Sequence, residues 1–183
     1  MIIDATVQCV LDEGFAAASA KRIAERAGVT WGVIQYHFGD RNGLLGAVVT
    51  LGYETFRAAI ESIDVPDADV EQRVNAVIET AWAAFSLPAS MASLEILVGT
   101  RTTRDPEVNT ELEETAKVMF RLGERIVAKR SQRALGRAVG QVIWATLRGL
   151  VLGQMVTKRP VDSVKERALL ASLVLTYLND QPD

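Results

Sequence analysis

The chain has 183 residues, 49% hydrophobic and 23% charged, with a net charge of −3 from 20 basic and 23 acidic side chains. That length and balance allow one large or two small domains and exclude disorder, a collagen-like repeat and a disulfide scaffold. A single cysteine, Cys9, fits a reducing cytoplasm. A single histidine leaves no ligand spacing such as His-x-x-x-His, so neither a metal nor another cofactor is expected.

Helix is favoured almost everywhere, since the five prolines are few and β-branched residues are scattered among Ala, Leu, Glu and Arg. In the first segment Ile3, Val7, Val10 and Leu11 form one helical stripe, Gly14 stops it, and Phe15 can fold back on it. Ser19 is a candidate N-cap for a second helix with Ile23, Ala24 and Ala27 on one face. Gly28 ends that helix, Thr30 can cap a third, "WGVIQYHF", and Asp40 can cap a fourth, from Arg41 to about Ile63.

Asp64–Asp69 reads as the clearest linker, and Asp69 with Gln72 resembles a capping box for a helix to about Ser86. Pro88 starts another, to about Thr102, and Asp105-Pro106 a third, to about Lys129. A long helix follows from Ala134 to Thr157; Arg137, Gln141, Arg148 and Gln154 interrupt it and make it a poor membrane span. After Pro160, Ser163 and Glu166 form a capping box for the last helix, to about Leu178. The reading is all-α, about nine helices with no convincing strand. The expected parts are a helix-turn-helix domain over residues 1–46, the fourth helix as connector to about residue 63, and a helical domain over 64–183.

Residues 19–38 have the pattern of a helix-turn-helix: a small residue (Ala24) where the helices cross, Gly28 at the turn, and Val29 and Ile34 as anchors. At about 100° per residue, Ile34 and Phe38 share the core side of the third helix. Gly32, Val33, Gln35 and Tyr36 fall opposite, with Trp31 at the border. A solvated face would carry Lys and Glu. This set suits a DNA major groove, where Gln pairs with an adenine edge, Val touches a thymine methyl, Tyr reaches a phosphate, and Gly permits close approach. Lys21 and Arg22, in the first turn of the preceding helix, and Arg41, on the far side, are expected to meet phosphates. His37 either packs beside Phe38 or meets a phosphate. Charge by itself argues against nucleic acid, because residues 1–50 carry four basic and five acidic side chains. The acids Asp4, Asp12 and Glu13 are expected to face away.

The stretch "GFAAASAKRIAERAGVTWGVIQYHFGDRNGLLGAV" resembles the N-terminal DNA-binding segment of the TetR family of bacterial transcriptional regulators. The matches are Gly14-Phe15, Ser19, Ile23-Ala24, Ala27 to Thr30, Gly32, His37-Phe38, Arg41 and Leu44-Leu45, within residues 3–50. Three positions depart from the family pattern: Gln35 stands where a Tyr is usual and the Tyr is at Tyr36, Arg41 replaces a Lys, and Ala18 replaces a Thr.

The resemblance implies a DNA contact set of Lys21, Arg22, Thr30, Trp31, Gly32, Val33, Gln35, Tyr36, His37 and Arg41. It also implies a cavity for a small, largely apolar effector among the middle helices. Trp82, Phe85, Met91, Leu94, Phe120, Trp144 and Met155 suit such a cavity, though core packing accounts for most of them. Thr80 and Glu95 either orient a ligand or face solvent. The last two helices are apolar over more than one face through Ala138, Val142, Ala145, Gly149, Leu150, Leu169, Leu173 and Tyr177, a surface that calls for a partner. The resemblance implies a four-helix homodimer bundle there. The basic run Arg121, Arg125, Lys129, Arg130, Arg133 and Arg137 reads as a solvated face near a helix C-terminus, with a second anion site as the alternative.

These readings point to a cytoplasmic, homodimeric, ligand-responsive regulator, in family terms a repressor, on a roughly palindromic double-stranded operator. The alternative is an all-α ligand-binding or protein-interaction module whose N-terminal helices dock a partner other than DNA. Steep salt dependence would mark the first. No enzyme is expected: there is no Gly-rich phosphate loop, no serine is paired with His37, and Glu113 and Glu114 lie in a charged helix.

Overall fold

The computed structural model describes residues 1–62, 69–102, 107–127, 132–157 and 163–181, with residues 107–116 described in their backbone alone. These residues form nine helices and no strand: α1 (Ile2–Glu13), α2 (Ala20–Ala27), α3 (Trp31–Phe38), α4 (Arg41–Glu61), α5 (Val70–Phe85), α6 (Pro88–Gly99), α7 (Glu107–Val127), α8 (Arg133–Thr157) and α9 (Val164–Asn179). The expected linker at 64–68, the Asp105-Pro106 start, Lys129, Arg130 and Pro160 lie outside the described residues.

Helix starts follow local hydrogen-bond chemistry. The Ser19 hydroxyl accepts the Arg22 N–H at 3.3 Å, Asp40 Oδ1 the Gly43 N–H at 2.8 Å, and Asp69 Oδ1 the Gln72 N–H at 2.8 Å. Pro88 occupies the first turn of α6. Two expected caps are not made. Thr30 stands at the N-cap of α3 without a side-chain cap bond. Ser163 has ψ of 21° in place of the extended backbone a cap requires, and its buried hydroxyl receives Arg167 Nη1 at 3.3 Å.

The described residues fall into two compact units, Met1–Phe56 with Ser86–Val108 and Arg57–Phe85 with Asn109–Asp183. The first contains α1–α3, most of α4, and α6. Its core is built from Val7, Val10, Ile23, Ile34, Leu44, Leu45, Val48 and Ile96. Sequence patterning placed α6 with the C-terminal half, yet it packs along α1. Two glycines make this docking possible. A Cβ on Gly52 of α4 would lie 2.3 Å from the Ser93 Cβ, and one on Gly99 would lie 2.5 Å from the Phe15 ring.

In the second unit α5 packs on α8 and α9. The α7–α8 crossing is backbone on backbone, since a Cβ on Gly123 would sit 2.1 Å from the Gly136 carbonyl oxygen and 2.6 Å from the Gly140 nitrogen. One buried cation ties α9 to α5. Arg167 donates to both Glu79 carboxylate oxygens, at 2.9 and 3.1 Å, and its guanidinium lies 4.8 Å from the centre of the Trp82 ring. α8 is long and apolar enough to match a bilayer by length and composition. Its glycine-mediated crossing with α7 and its packing on α5 and α9 bury only part of it, 28% of the apolar window.

Gly123→Ala forces backbone apart at a crossing with no flexible side chain to yield, and is expected to cost about 1–3 kcal/mol. Gly153→Ala, which meets nothing within 4 Å, is expected to gain about 0.5–1 kcal/mol from helix propensity. Urea denaturation of the two variants measures both.

Candidate nucleic-acid interface

Gly28, at φ 66° and ψ 29°, takes the left-handed conformation that lets the chain leave α2 and re-enter a helix three residues later. Ile23 and Ala24 on α2 and Ile34 on α3 are buried at this crossing, and Val29 is half-buried. α3 therefore presents the side opposite Ile34 outward. Gly32, Val33, Gln35, Tyr36 and His37 are exposed together, Tyr36 at 86%, while Trp31 is half-buried at their edge. The His37 ring packs edge-on against Tyr36 at 5.1 Å and lies 6.3 Å from Phe38, so it remains on the outer face with an aromatic neighbour on each side. Thr30 and Lys21 are exposed beside them.

Two expected phosphate contacts are committed elsewhere. Arg41 turns inward: its Nε donates to the Ala18 carbonyl at 2.8 Å, its Nη2 to the Phe15 carbonyl at 2.9 Å, and its guanidinium lies 4.9 Å from the Phe15 ring centre. The loop between α1 and α2 leaves those carbonyls without helical partners, and a planar cation satisfies both. Arg22 points along α2 toward α1, where its Nε donates to Glu13 at 2.7 and 3.0 Å. Asp12 and Glu13 thus do not face away from the head. They pair with Arg26 and Arg22, and the two guanidinium groups hold the Glu13 carboxyl below the usual carboxylate range, with the Arg22 hydrogen bond the largest cause.

Glu95 is one of the residues that sequence reasoning left undecided. It is engaged within the chain: its Oε1 accepts the Phe15 N–H at 2.6 Å. Phe15 is thereby held at its nitrogen by α6 and at its oxygen by α4. A lone acid in the apolar run "SLEILVG" was the available signal.

The expected effector residues are divided between the two units. Met91 and Leu94 lie on α6 in the first unit. In the second, Phe85 and Trp144 meet with ring centres 5.1 Å apart, Trp82 lies under Arg167, and Phe120 and Met155 are half-buried on α7 and α8. The expected dimer residues do come together. Ala138, Val142, Leu150, Leu169, Leu173 and Tyr177 line an apolar groove of about 590 Å³ between α8 and α9, joined by Val139, Thr146, Glu166, Leu170 and Val174. Ala145 and Gly149 are exposed on α8 outside it. Among the described residues no His, Cys, Asp and Glu cluster could hold a metal ion.

Residues 2–48 match the family of bacterial regulatory proteins described as the tetR family. Over its whole length the chain is similar to the HTH-type transcriptional regulator BetI of Escherichia coli (strain K12), 23% identical across 97% of this chain and 92% of that protein. Two solved structures have similar folds. One is a transcriptional regulator from Rhodococcus sp. Rha1, with a TM-score of 0.75 and 14% identity over 99% of this chain and 97% of that one. The other is the transcriptional regulator FadR from Bacillus subtilis, solved in complex with stearoyl-CoA, with a TM-score of 0.67 and 20% identity over 94% of this chain and 95% of that one.

Arg41→Met strands two loop carbonyls and is expected to cost about 1.5–3 kcal/mol in stability, whereas Lys21→Met, at an exposed site, is expected to cost less than about 0.5 kcal/mol. Thermal melts of the two variants separate a holding role for Arg41 from a surface role.

Proposed function

Because this chain belongs to the TetR family of bacterial regulatory proteins, we propose that it is a cytoplasmic, homodimeric transcriptional repressor that reads a roughly palindromic operator and is released by a small, largely apolar effector. The observation that carries the DNA reading is the outer face of α3, where neutral polar and small side chains stand exposed with the buried Ile34 behind them. Gln35 offers a donor and an acceptor to an adenine edge, Val33 an apolar contact to a thymine methyl, and Tyr36 a hydroxyl to base edge or phosphate. Lys21, Thr30, Trp31, Gly32 and His37 supply backbone contacts or close approach. Arg41 and Glu95 support this face from behind by fixing the loop before α2.

A homodimer is supported by the groove between α8 and α9, whose exposed lining includes Val142, Leu169, Leu173 and Tyr177. A second copy packing its own α8 and α9 there buries these side chains in a four-helix arrangement. An apolar effector is supported by the aromatic content of the second unit around Phe85 and Trp144. Release requires the effector to bind the DNA-incompetent state more tightly than the competent one.

Selection from a random duplex library at moderate salt is expected to return an inverted repeat, and no enrichment would count against the reading. Gln35→Ala is expected to cost about 1–3 kcal/mol on the selected duplex and to relax preference at one position per half-site. Leu173→Glu is expected to shift sedimentation from dimer to monomer and to weaken operator binding with it.

A further inference from the structure

Two basic side chains of the reading head, Arg22 and Arg26, are held by carboxylates of the same chain. Residues 1–56 carry four basic side chains, Lys21, Arg22, Arg26 and Arg41. Arg41 is used on the loop carbonyls of Phe15 and Ala18. Arg22 Nε contacts both Glu13 carboxylate oxygens, and its Nη1 lies 3.8 Å from Glu25. Arg26 Nη1 reaches Glu13 at 3.2 Å and its Nη2 pairs with Asp12. Lys21 has only a 3.9 Å approach to Glu25 and is 88% exposed.

A guanidinium fork fits carboxylate and phosphate with the same geometry, so each carboxylate stands where a phosphate oxygen would bind. The Arg22 side chain is 50% exposed in its pair, in the first turn of α2 directly after the cap at Ser19. An ion pair at that exposure is weak and exchanges readily. The freed Glu13 carboxylate would then lie well within a Debye length of the incoming phosphate and repel it.

We propose, resting on the DNA-reading role above, that Glu13 and Asp12 are built-in competitors for DNA phosphate, keeping Arg22 and Arg26 paired within the chain so that the head binds operator largely without their phosphate contacts. Operator affinity is held down and its salt dependence is shallow for a helix-turn-helix head. Neutralising Glu13 strengthens binding instead of weakening it.

The test uses the full chain, the selected inverted-repeat duplex and a random-sequence duplex, with fluorescence anisotropy read across a series of KCl concentrations. E13Q is expected to bind both duplexes about threefold tighter, with the salt slope steeper by about one, as one more phosphate contact requires. R22Q alone is expected to leave the slope nearly unchanged, and R22Q added to E13Q to cancel the gain. Equal or weaker binding by a folded E13Q would overturn the proposal, as would an R22Q that by itself flattens the slope by about one. D12N, which leaves the Glu13–Arg22 pair intact, decides the matter if E13Q does not fold: a smaller gain supports the proposal, and none overturns it. Q35A separates the two levels. If it abolishes sequence preference while E13Q gains nothing, only the competitor role falls. If no protein shows preference and Q35A changes nothing, the DNA-reading role falls and this inference with it.

Discussion

Phe15 is gripped at both ends of its own residue, its N–H by Glu95 and its carbonyl by Arg41, and the reading head is organised around that grip. α2 and α3 have eight residues each, about 12 Å of helix, too short to persist alone. Their orientation has to come from neighbours. Packing of α2 on α1 and of α3 on α2 supplies the apolar part, and the two charge-assisted bonds at Phe15 fix where the chain leaves α1 before α2 begins. The same requirement explains the glycines at positions 52 and 99, where any side chain would hold α6 off.

This arrangement has an electrostatic consequence. A cation used to hold a loop is unavailable to a phosphate, and cations paired with carboxylates are available only by exchange. α3 itself carries no Lys or Arg, so in the proposed DNA-reading role discrimination would fall to hydrogen bonds and apolar contacts at base edges more than to bulk attraction. The net charge of −3 is consistent with such a surface.

The second unit solves a different problem. Its helices are long, and two of them cross through Gly123, Gly136 and Gly140, so backbone dispersion contacts take the place of interdigitated side chains. Arg167 is buried but fully engaged by Glu79, Ser163 and Trp82, which offsets the cost of desolvating a guanidinium. That lock sets α9 against α5, and with it one wall of the apolar groove shared with α8.

The sequence by itself determined the helices, their order and the helix-turn-helix. Those features are written in short-range patterns: apolar spacing, Ser19, Asp40 and Asp69 at helix starts, Pro88 in a first turn, and Gly28 where a left-handed residue is needed. It also determined which side of α3 faces out, because Ile34 and Phe38 fix the inner side by angle alone. Only the tertiary structure decided where the charges went. Glu95 lies 80 residues from Phe15, and Arg41 lies 26 residues from it; no local pattern encodes contacts at such separation. Arg22 looked like a phosphate ligand because its place in α2 is a local property. Its partner Glu13 sits on another helix, and the choice between carboxylate and phosphate is made by a distance that exists only once α1 and α2 have packed.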